Sequence, residues 1–225
     1  MHKTKTGRAN INFYNRDNIE FMKDIPDNYY DLAIVDPPYG IGQHKAAGKR
    51  KNSWQPYVNH EKKWDKEPPK QQYFNELFRV SKNQIIWGAN YFVSNLPVSS
   101  NWIVWDKLQP EGLSFSMHEL AFCSIKAQAR IFTKSIEKNR ATNKESAKKY
   151  ERIHPTQKPV KLYEWLLTNY AKEGDKILDT HGGSGSISLA CWNLGFDLDL
   201  CELDEDYFND SWKRFEWHAR QQQLF

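Results

Sequence analysis

Asp36, Pro37, Pro38 and Tyr39 bring together one carboxylate, two ring-locked backbone units and one aromatic ring. They follow Asp31-Leu32-Ala33-Ile34-Val35, an apolar run that reads as a buried parallel strand. Neither proline can donate to a ladder and both fix φ, so the pair ends the strand in a stiff lip. In an open α/β sheet the carboxyl end of a strand is where ligands bind. A carboxylate, a carbonyl that moves little and a ring suit a planar base held by its amino group and its face. The plainer reading is a strand followed by a proline turn with a surface tyrosine.

A second cluster lies far along the chain. Lys176-Ile177-Leu178-Asp179 reads as a strand, and His181-Gly182-Gly183-Ser184-Gly185 runs from it into a helix through Leu189, Ala190 and Leu194. Leu198 to Glu202 is the next strand. Glycines such as Gly183 and Gly185 let the backbone approach a ligand, and the helix N-terminus favours negative charge. Glu202, 17 residues beyond Gly185, can accept both hydroxyls of a ribose. No Gly-Lys-Ser/Thr follows, so this is not a phosphate loop. Asp179 at the strand tip suits a cofactor bearing an ammonium group, which nicotinamide cofactors lack near that position.

The intervening segments alternate in type. Ile11 to Asn15 is a short strand, and Ile19, Phe21, Met22 and Ile25 follow at helical spacing. Pro68 opens a helix with Tyr73, Phe74, Leu77 and Phe78 on its core face. Gln84 to Gly88 and Trp102 to Asp106 are strands. Glu119 to Cys123 and Ala129 to Phe132 read as a terminal antiparallel pair. A helix carrying Val160, Leu162, Trp165, Leu166 and Tyr170 ends at Gly174 as its C-cap, and a last helix carries Tyr207, Phe208, Trp212 and Phe215. Alternating strands and helices predict an α/β fold with a mostly parallel sheet.

With 225 residues, 39% of them apolar and 14% aromatic, the chain is globular, with one domain's worth of core. No apolar run reaches the ~18 residues of a membrane span. Met1 to Asn10 is polar and basic, so no secretory signal is expected and a cytoplasmic location is. Cys123, Cys191 and Cys201 lack metal spacing and read as buried small apolar residues. The net charge is +4, unevenly placed: seven Lys/Arg against two acids from His44 to Lys66, and seven against three from Thr133 to Arg152. Lys49-Arg50-Lys51 is interleaved with Trp54, Tyr57 and Trp64, a mixture that favours nucleic acid. Two solvated loops are the bland reading of the same runs.

The chain resembles the amino-methylating DNA methyltransferases that use S-adenosylmethionine, from about Asn12 to Phe215. Asp36 to Tyr39 resembles their catalytic motif. Ile177 to Ser186 resembles their cofactor motif, with Thr180 and His181 where Pro and Phe are usual. His154-Pro155-Thr156-Gln157-Lys158-Pro159 resembles their His-Pro-Thr-Gln-Lys-Pro element. The catalytic motif precedes the cofactor motif, the permuted order of the beta class. The resemblance implies a Rossmann-like methyltransferase fold with a terminal antiparallel strand, forming a single catalytic domain over 1–225. DNA-recognition loops are expected at about 40–69 and 133–153.

It further implies methyl transfer to the N6 amino group of adenine in double-stranded DNA. Asp36 and the Pro37 carbonyl would accept the amino hydrogens, and Tyr39, beside Pro38, would stack on a flipped base. Asp17 would bind the cofactor adenine and Glu202 its ribose. Asp179, Thr156 and Lys158 would bind the methionine end, near Asp36, with His181, Gly183 and Gly185 lining the site. His181 keeps a planar contact there or is a satisfied core histidine. Lys49, Arg50, Lys51, Arg140, Lys148 and Lys149 are the expected DNA contacts. No metal is expected, and a homodimer or a cognate restriction endonuclease is a compatible partner. N4-cytosine methylation, for which Ser more often replaces Asp36, is the alternative, with a non-catalytic DNA-binding subunit behind it. Protein glutamine methylation usually has Asn first, and a nicotinamide oxidoreductase is disfavoured by the Asp-Pro-Pro-Tyr itself.

Overall fold

A computed structural model describes residues 1–4, 8–42, 67–111, 116–135, 153 and 156–222. Its strands are β1 (His2–Lys3), β2 (Ile11–Tyr14), β3 (Tyr30–Val35), β4 (Ser81–Trp87), β5 (Asn101–Asp106), β6 (His118–Cys123), β7 (Arg130–Thr133), β8 (Lys176–Asp179) and β9 (Asp197–Cys201). Its α-helices are α1 (Asn18–Lys23), α2 (Gln71–Val80), α3 (Val160–Tyr170), α4 (Ser186–Leu194) and α5 (Glu205–Gln222). The strands form one sheet in the order β1-β2-β9-β8-β3-β4-β6-β5-β7.

β3 is buried along its length because helices cover both faces. Leu32 and Ile34 point into one apolar layer with α3, α4 and α5, and Ala33 and Val35 into the other with α1 and α2. That is why the strand reads as a continuous apolar run. α2 presents Tyr73, Phe74, Leu77 and Val80 to the core at helical spacing, and truncating Phe74 to Ala would cost about 3–5 kcal/mol. α4 is buried from Ser186 to Trp192 and ends at Gly195, whose φ of 81° lets its own amide and that of Phe196 return to the Cys191 carbonyl.

From β3 the chain moves to β4 on one side, while from β8 it moves to β9 on the other. The strand order therefore reverses between the paired neighbours β3 and β8, and in open α/β sheets the ligand crevice lies at the carboxyl ends of such a pair. Asp36 and Asp179 stand at those two ends.

Three sequence expectations are corrected. β6 and β7 do not pair: β5 lies between them, antiparallel to β6 and parallel to β7. β6 instead enters the sheet antiparallel between β4 and β5. The antiparallel strand at the sheet's edge is the short β1, which the sequence did not signal. Gly174 is not the cap of α3, which ends at Tyr170 with Ala171 as its cap; at φ 86° Gly174 shapes the next turn. Cys123, Cys191 and Cys201 are buried free thiols. Among the described residues no helix is long and apolar enough to cross a membrane.

Candidate active site

The lip after β3 is held by charge. Tyr39 Oη donates to Asp36 Oδ1 at 2.7 Å, and Lys158 Nζ lies 2.5 Å from Asp36 Oδ2. The same ammonium reaches Glu119 Oε2 at 3.0 Å and donates to Tyr39 Oη at 3.3 Å. Lys107 Nζ pairs with the other Glu119 oxygen at 2.6 Å. Two carboxylates and two ammoniums thus form a neutral cluster, with Lys158 only 2% exposed. Burial pushes the Asp36 carboxyl up, against the pull of Lys158, and Glu119 adds to the rise. Burial also acts upward on Glu119, but Lys158 and Lys107 outweigh it and hold its carboxyl low. Lys158 stays firmly protonated because its two carboxylates exceed its desolvation.

Tyr39 is fixed by close packing. Its ring stacks on Tyr91 at 5.2 Å and 18°, and it lies against Gly88, where a Cβ would come within 2.1 Å of Tyr39 Cε1. Gly88 sits at φ 67°, a second reason for glycine there. Beside the ring opens a cavity of about 490 Å³ whose lining includes Tyr39, Tyr91, Asn90, Lys107, His118 and Glu119. Gly40 and Pro68 bracket one basic segment and nearly touch, since a Cβ on Gly40 would lie 2.6 Å from Pro68 Cδ.

The turn after β8 is held differently. Gly182 packs so closely on Leu200 that a Cβ would come within 2.3 Å of Leu200 Cδ2, and Gly183 and Gly185 adopt positive φ. Glu202 sits just past β9; its Oε2 accepts from Gly183 N at 2.7 Å and its Oε1 from Asp204 N at 2.8 Å. Arg214 of α5 donates to the Ser184 carbonyl at 2.7 Å and to Ser186 Oγ at 3.0 Å. Asp179 is buried, and its carboxyl accepts from the His181 amide at 2.9 Å. Burial pushes that carboxyl up to about 8, more than the amide can offset. A group with a positive charge is what such a carboxylate lacks, which fits the ammonium end of a cofactor.

His181 is a network residue. Asn18 Nδ2 donates to its Nε2 at 3.0 Å, so Nδ1 carries the proton and faces Thr180 Oγ1, also at 3.0 Å; Tyr73 Oη is 2.7 Å from the same hydroxyl. Burial drives the imidazole down to about 3, so it stays neutral. Asp17 caps α1, its Oδ1 accepting from Ile19 N and Glu20 N at 2.9 and 3.1 Å.

The structure brings Asp36, Pro37, Pro38, Tyr39 and Lys158 together on one side of the crevice. Asp17, Asp179, His181, Gly183, Gly185 and Glu202 gather on the other. Lys158 sits on Asp36 and Glu119 rather than on Asp179, and Thr156 lies half-buried two residues before it. Lys49, Arg50, Lys51, Arg140, Lys148 and Lys149 lie outside the described residues, as do Trp54, Tyr57 and Trp64. Glu119, Lys107, Tyr91, Gly88 and Arg214 also belong to the site, and no sequence motif assigns them a role there. The signal for Glu119 is a lone acid at the head of the apolar run Leu120-Ala121-Phe122-Cys123.

A family model for DNA methylases (N6/N4 type) matches residues 86–213, more than half of the chain. The chain belongs to the DNA methylase family. The match takes in the glycine turn and the His154–Pro159 element but begins after Asp36–Tyr39. The Type II methyltransferase M.HpaI of Haemophilus parainfluenzae is 23% identical, over 88% of this chain and 72% of its own. Solved structures agree on the fold. M1.HpyAVI in complex with SAM superposes with TM-score 0.56 at 22% identity, over 91% of this chain and 99% of that one. PvuII DNA methyltransferase, which is cytosine-N4-specific, gives 0.62 at 15% identity, over 95% and 90%. The DNA methylase described here has the Rossmann-like methyltransferase fold in the permuted, beta-class order.

Proposed function

We propose that this DNA methylase transfers a methyl group from S-adenosylmethionine to the N6 amino group of adenine in duplex DNA. The observation that carries the reading is the meeting of Asp36 and Asp179 across one switch point, on paired strands. One is an acceptor for an amino group, and the other is a buried carboxylate suited to a cation. S-adenosylmethionine, when bound, supplies an electrophilic methyl group on a sulfonium. Asp179 and Thr156 would hold its ammonium end, Glu202 the ribose hydroxyls and Asp17 the adenine, with His181, Gly183 and Gly185 lining the site. Lys158, expected at the same end, instead acts on Asp36.

An exocyclic amino nitrogen is a poor nucleophile because its lone pair is delocalised into the ring. Asp36 and the Pro37 carbonyl each accept one N–H, which draws the nitrogen toward a tetrahedral shape and localises the lone pair. The lip ordered by Pro38 sets the direction of attack, so positioning and electrostatics supply the catalysis. The product nitrogen carries one proton too many, and the half-buried Asp36 carboxylate stands where it can take it. The target must leave the stack, and Tyr39, backed by Tyr91, offers a face for it beside the 490 Å³ cavity.

In this reading 1–225 is one catalytic domain, and the segments at 40–69 and 133–153 read DNA. Both begin at carboxyl ends of parallel strands, β3 and β7, on the same edge as the crevice. A matching restriction endonuclease is the corresponding partner, by analogy with the Type II relative. The second reading is N4 of cytosine, which the N6/N4 family model leaves open; Asp36 in the first motif position speaks for adenine. DNA from cells expressing the protein, digested to nucleosides and weighed by mass spectrometry, separates the two. N6-methyladenine is the expected product, and N4-methylcytosine alone would replace the first reading with the second.

A further inference from the structure

Lys158 has two carboxylates to serve. Its Nζ, itself only 2% exposed, lies 2.5 Å from Asp36 Oδ2 and 3.0 Å from Glu119 Oε2. Glu119 cannot swing away, because its other oxygen is pinned at 2.6 Å by Lys107, itself 9% exposed and packed over the Trp105 ring at 5.4 Å. We infer that Glu119 is a positioning residue for Asp36: by taking part of the Lys158 ammonium, it leaves the Asp36 carboxylate able to accept the incoming amino group. The inference rests on the proposed methyl transfer.

The physical reason is competition for one cation. A carboxylate alone with a buried ammonium is neutralised by it and draws weakly on a second donor. A carboxylate that shares the ammonium with another anion keeps more of its negative charge for that donor. Glu119 does not reach Asp36 directly; it acts through Lys158 and through its own charge. Other groups facing Asp36 are the Tyr39 hydroxyl on the same lip, Tyr163 from α3 and Asp179 from β8. None of these carries a positive charge, so Lys158 is the cation to be shared. β6 places Glu119 there because it runs antiparallel to β4, which brings its first residues to the edge where β3 ends.

Glu119→Gln keeps the shape of the side chain and removes its charge. Lys158 then turns wholly to Asp36. Removing a neighbouring anion favours the ionised form of Asp36, so its titration must move down in pH. The test is carbon NMR of the Asp36 carboxyl, identified by its disappearance in Asp36→Asn. The expected midpoint is lower by about one unit in Glu119→Gln. Beside it, kcat falls by about tenfold with KM for DNA and cofactor little changed, the mark of an effect on the bound complex. Glu119→Asp, which restores the charge one methylene short, recovers part of the rate.

Because Glu119→Gln strands Lys107, the double variant Lys107→Met/Glu119→Gln provides a folded alternative, with the same downward shift expected. An unmoved Asp36 midpoint in either variant, with unchanged kcat, would mean that Glu119 only neutralises Lys107, and the inference falls. The titration needs no turnover. A wild type that transfers no methyl group therefore refutes the proposed function, while the midpoint still decides whether Glu119 acts on Asp36.

Discussion

Asp36 and Asp179 are the same residue type at the ends of neighbouring strands, yet they are provided for in opposite ways. Asp36 meets a hydroxyl, an ammonium and, through that ammonium, a second ion pair. Asp179 meets a backbone amide, and burial leaves its carboxyl at about 8. One side of the crevice holds its charges already compensated, while the other holds a carboxyl that becomes a comfortable anion only when a cation arrives. Two carboxylates with separated environments are a common way to divide chemical roles in one site. In the proposed function the division is between an acceptor acting in the reaction and an anchor acting in binding.

The comparison breaks most sharply at the lip. Asp36→Ala should lower kcat by ~10²-fold or more, since it removes an acceptor that acts in the transition state, and it should also lower the melting temperature because Lys158 loses one of its two carboxylates. Turnover of tritiated cofactor at the wild-type rate would remove Asp36 from the mechanism.

Asp179→Asn tests the other side. At pH 6.5 the free carboxyl is protonated and must ionise to pair with the ammonium of the cofactor. Binding to the wild type should therefore release close to one proton, measured by calorimetry in buffers of different ionisation enthalpy, and the variant should release none. Affinity should fall by roughly 2–3 kcal/mol. The stability effect has the opposite sign. A carboxyl raised in the folded state binds protons that the unfolded state has lost between about pH 4 and 8, so its contribution to stability declines as pH rises through that window. Without cofactor, Asp179→Asn should consequently melt higher than the wild type at pH 8, by about 1–3 kcal/mol. Equal melting at that pH would show that Asp179 is already compensated and erase the contrast with Asp36.

Glu202→Ala should weaken cofactor binding by roughly 1.5–3 kcal/mol, with loss of charge-assisted bonds to ribose and of the Gly183 tether together. Unchanged affinity by calorimetry would place the ribose elsewhere. The smallest effect belongs to the basic segments. Lys148 and Lys149 changed together to Ala should reduce the slope of log affinity against log salt by about one to two units, equally on specific and scrambled duplexes. A wild-type slope in anisotropy measurements would mean that this pair does not touch DNA.

Most of the frame was legible because its signals are local. β3 and β8 announced themselves as apolar runs closed by prolines or glycines, α2 by its apolar spacing and α4 by the glycines at its two ends. What escaped depends on partners distant in the chain. Glu119 to Cys123 and Ala129 to Phe132 are separated by a short link, which invites a hairpin, yet Trp87 pairs with Ala121 and Val104 with both Leu120 and Ile131. That insertion of β6 carries Glu119 to Lys158, so the misplaced strand and the missed residue have one cause. His181 illustrates a different limit. Whether it contacts the site or fills the core could not be read from its type, and its partners Asn18 and Tyr73 come from helices over a hundred residues away. Neutral and hydrogen-bonded on both nitrogens, it joins α1 and α2 to the glycine turn.

The central claim is that the crevice between β3 and β8 methylates the amino group of adenine in DNA. The most direct measurement is single-turnover transfer from methyl-tritiated S-adenosylmethionine to duplex DNA, with wild type and Asp36→Ala side by side, followed by digestion to nucleosides and separation. The account predicts label in N6-methyladenine for the wild type and a loss of at least about a hundredfold in the variant. Label in another nucleoside, label carried equally by the variant, or no transfer to DNA by the wild type would contradict it.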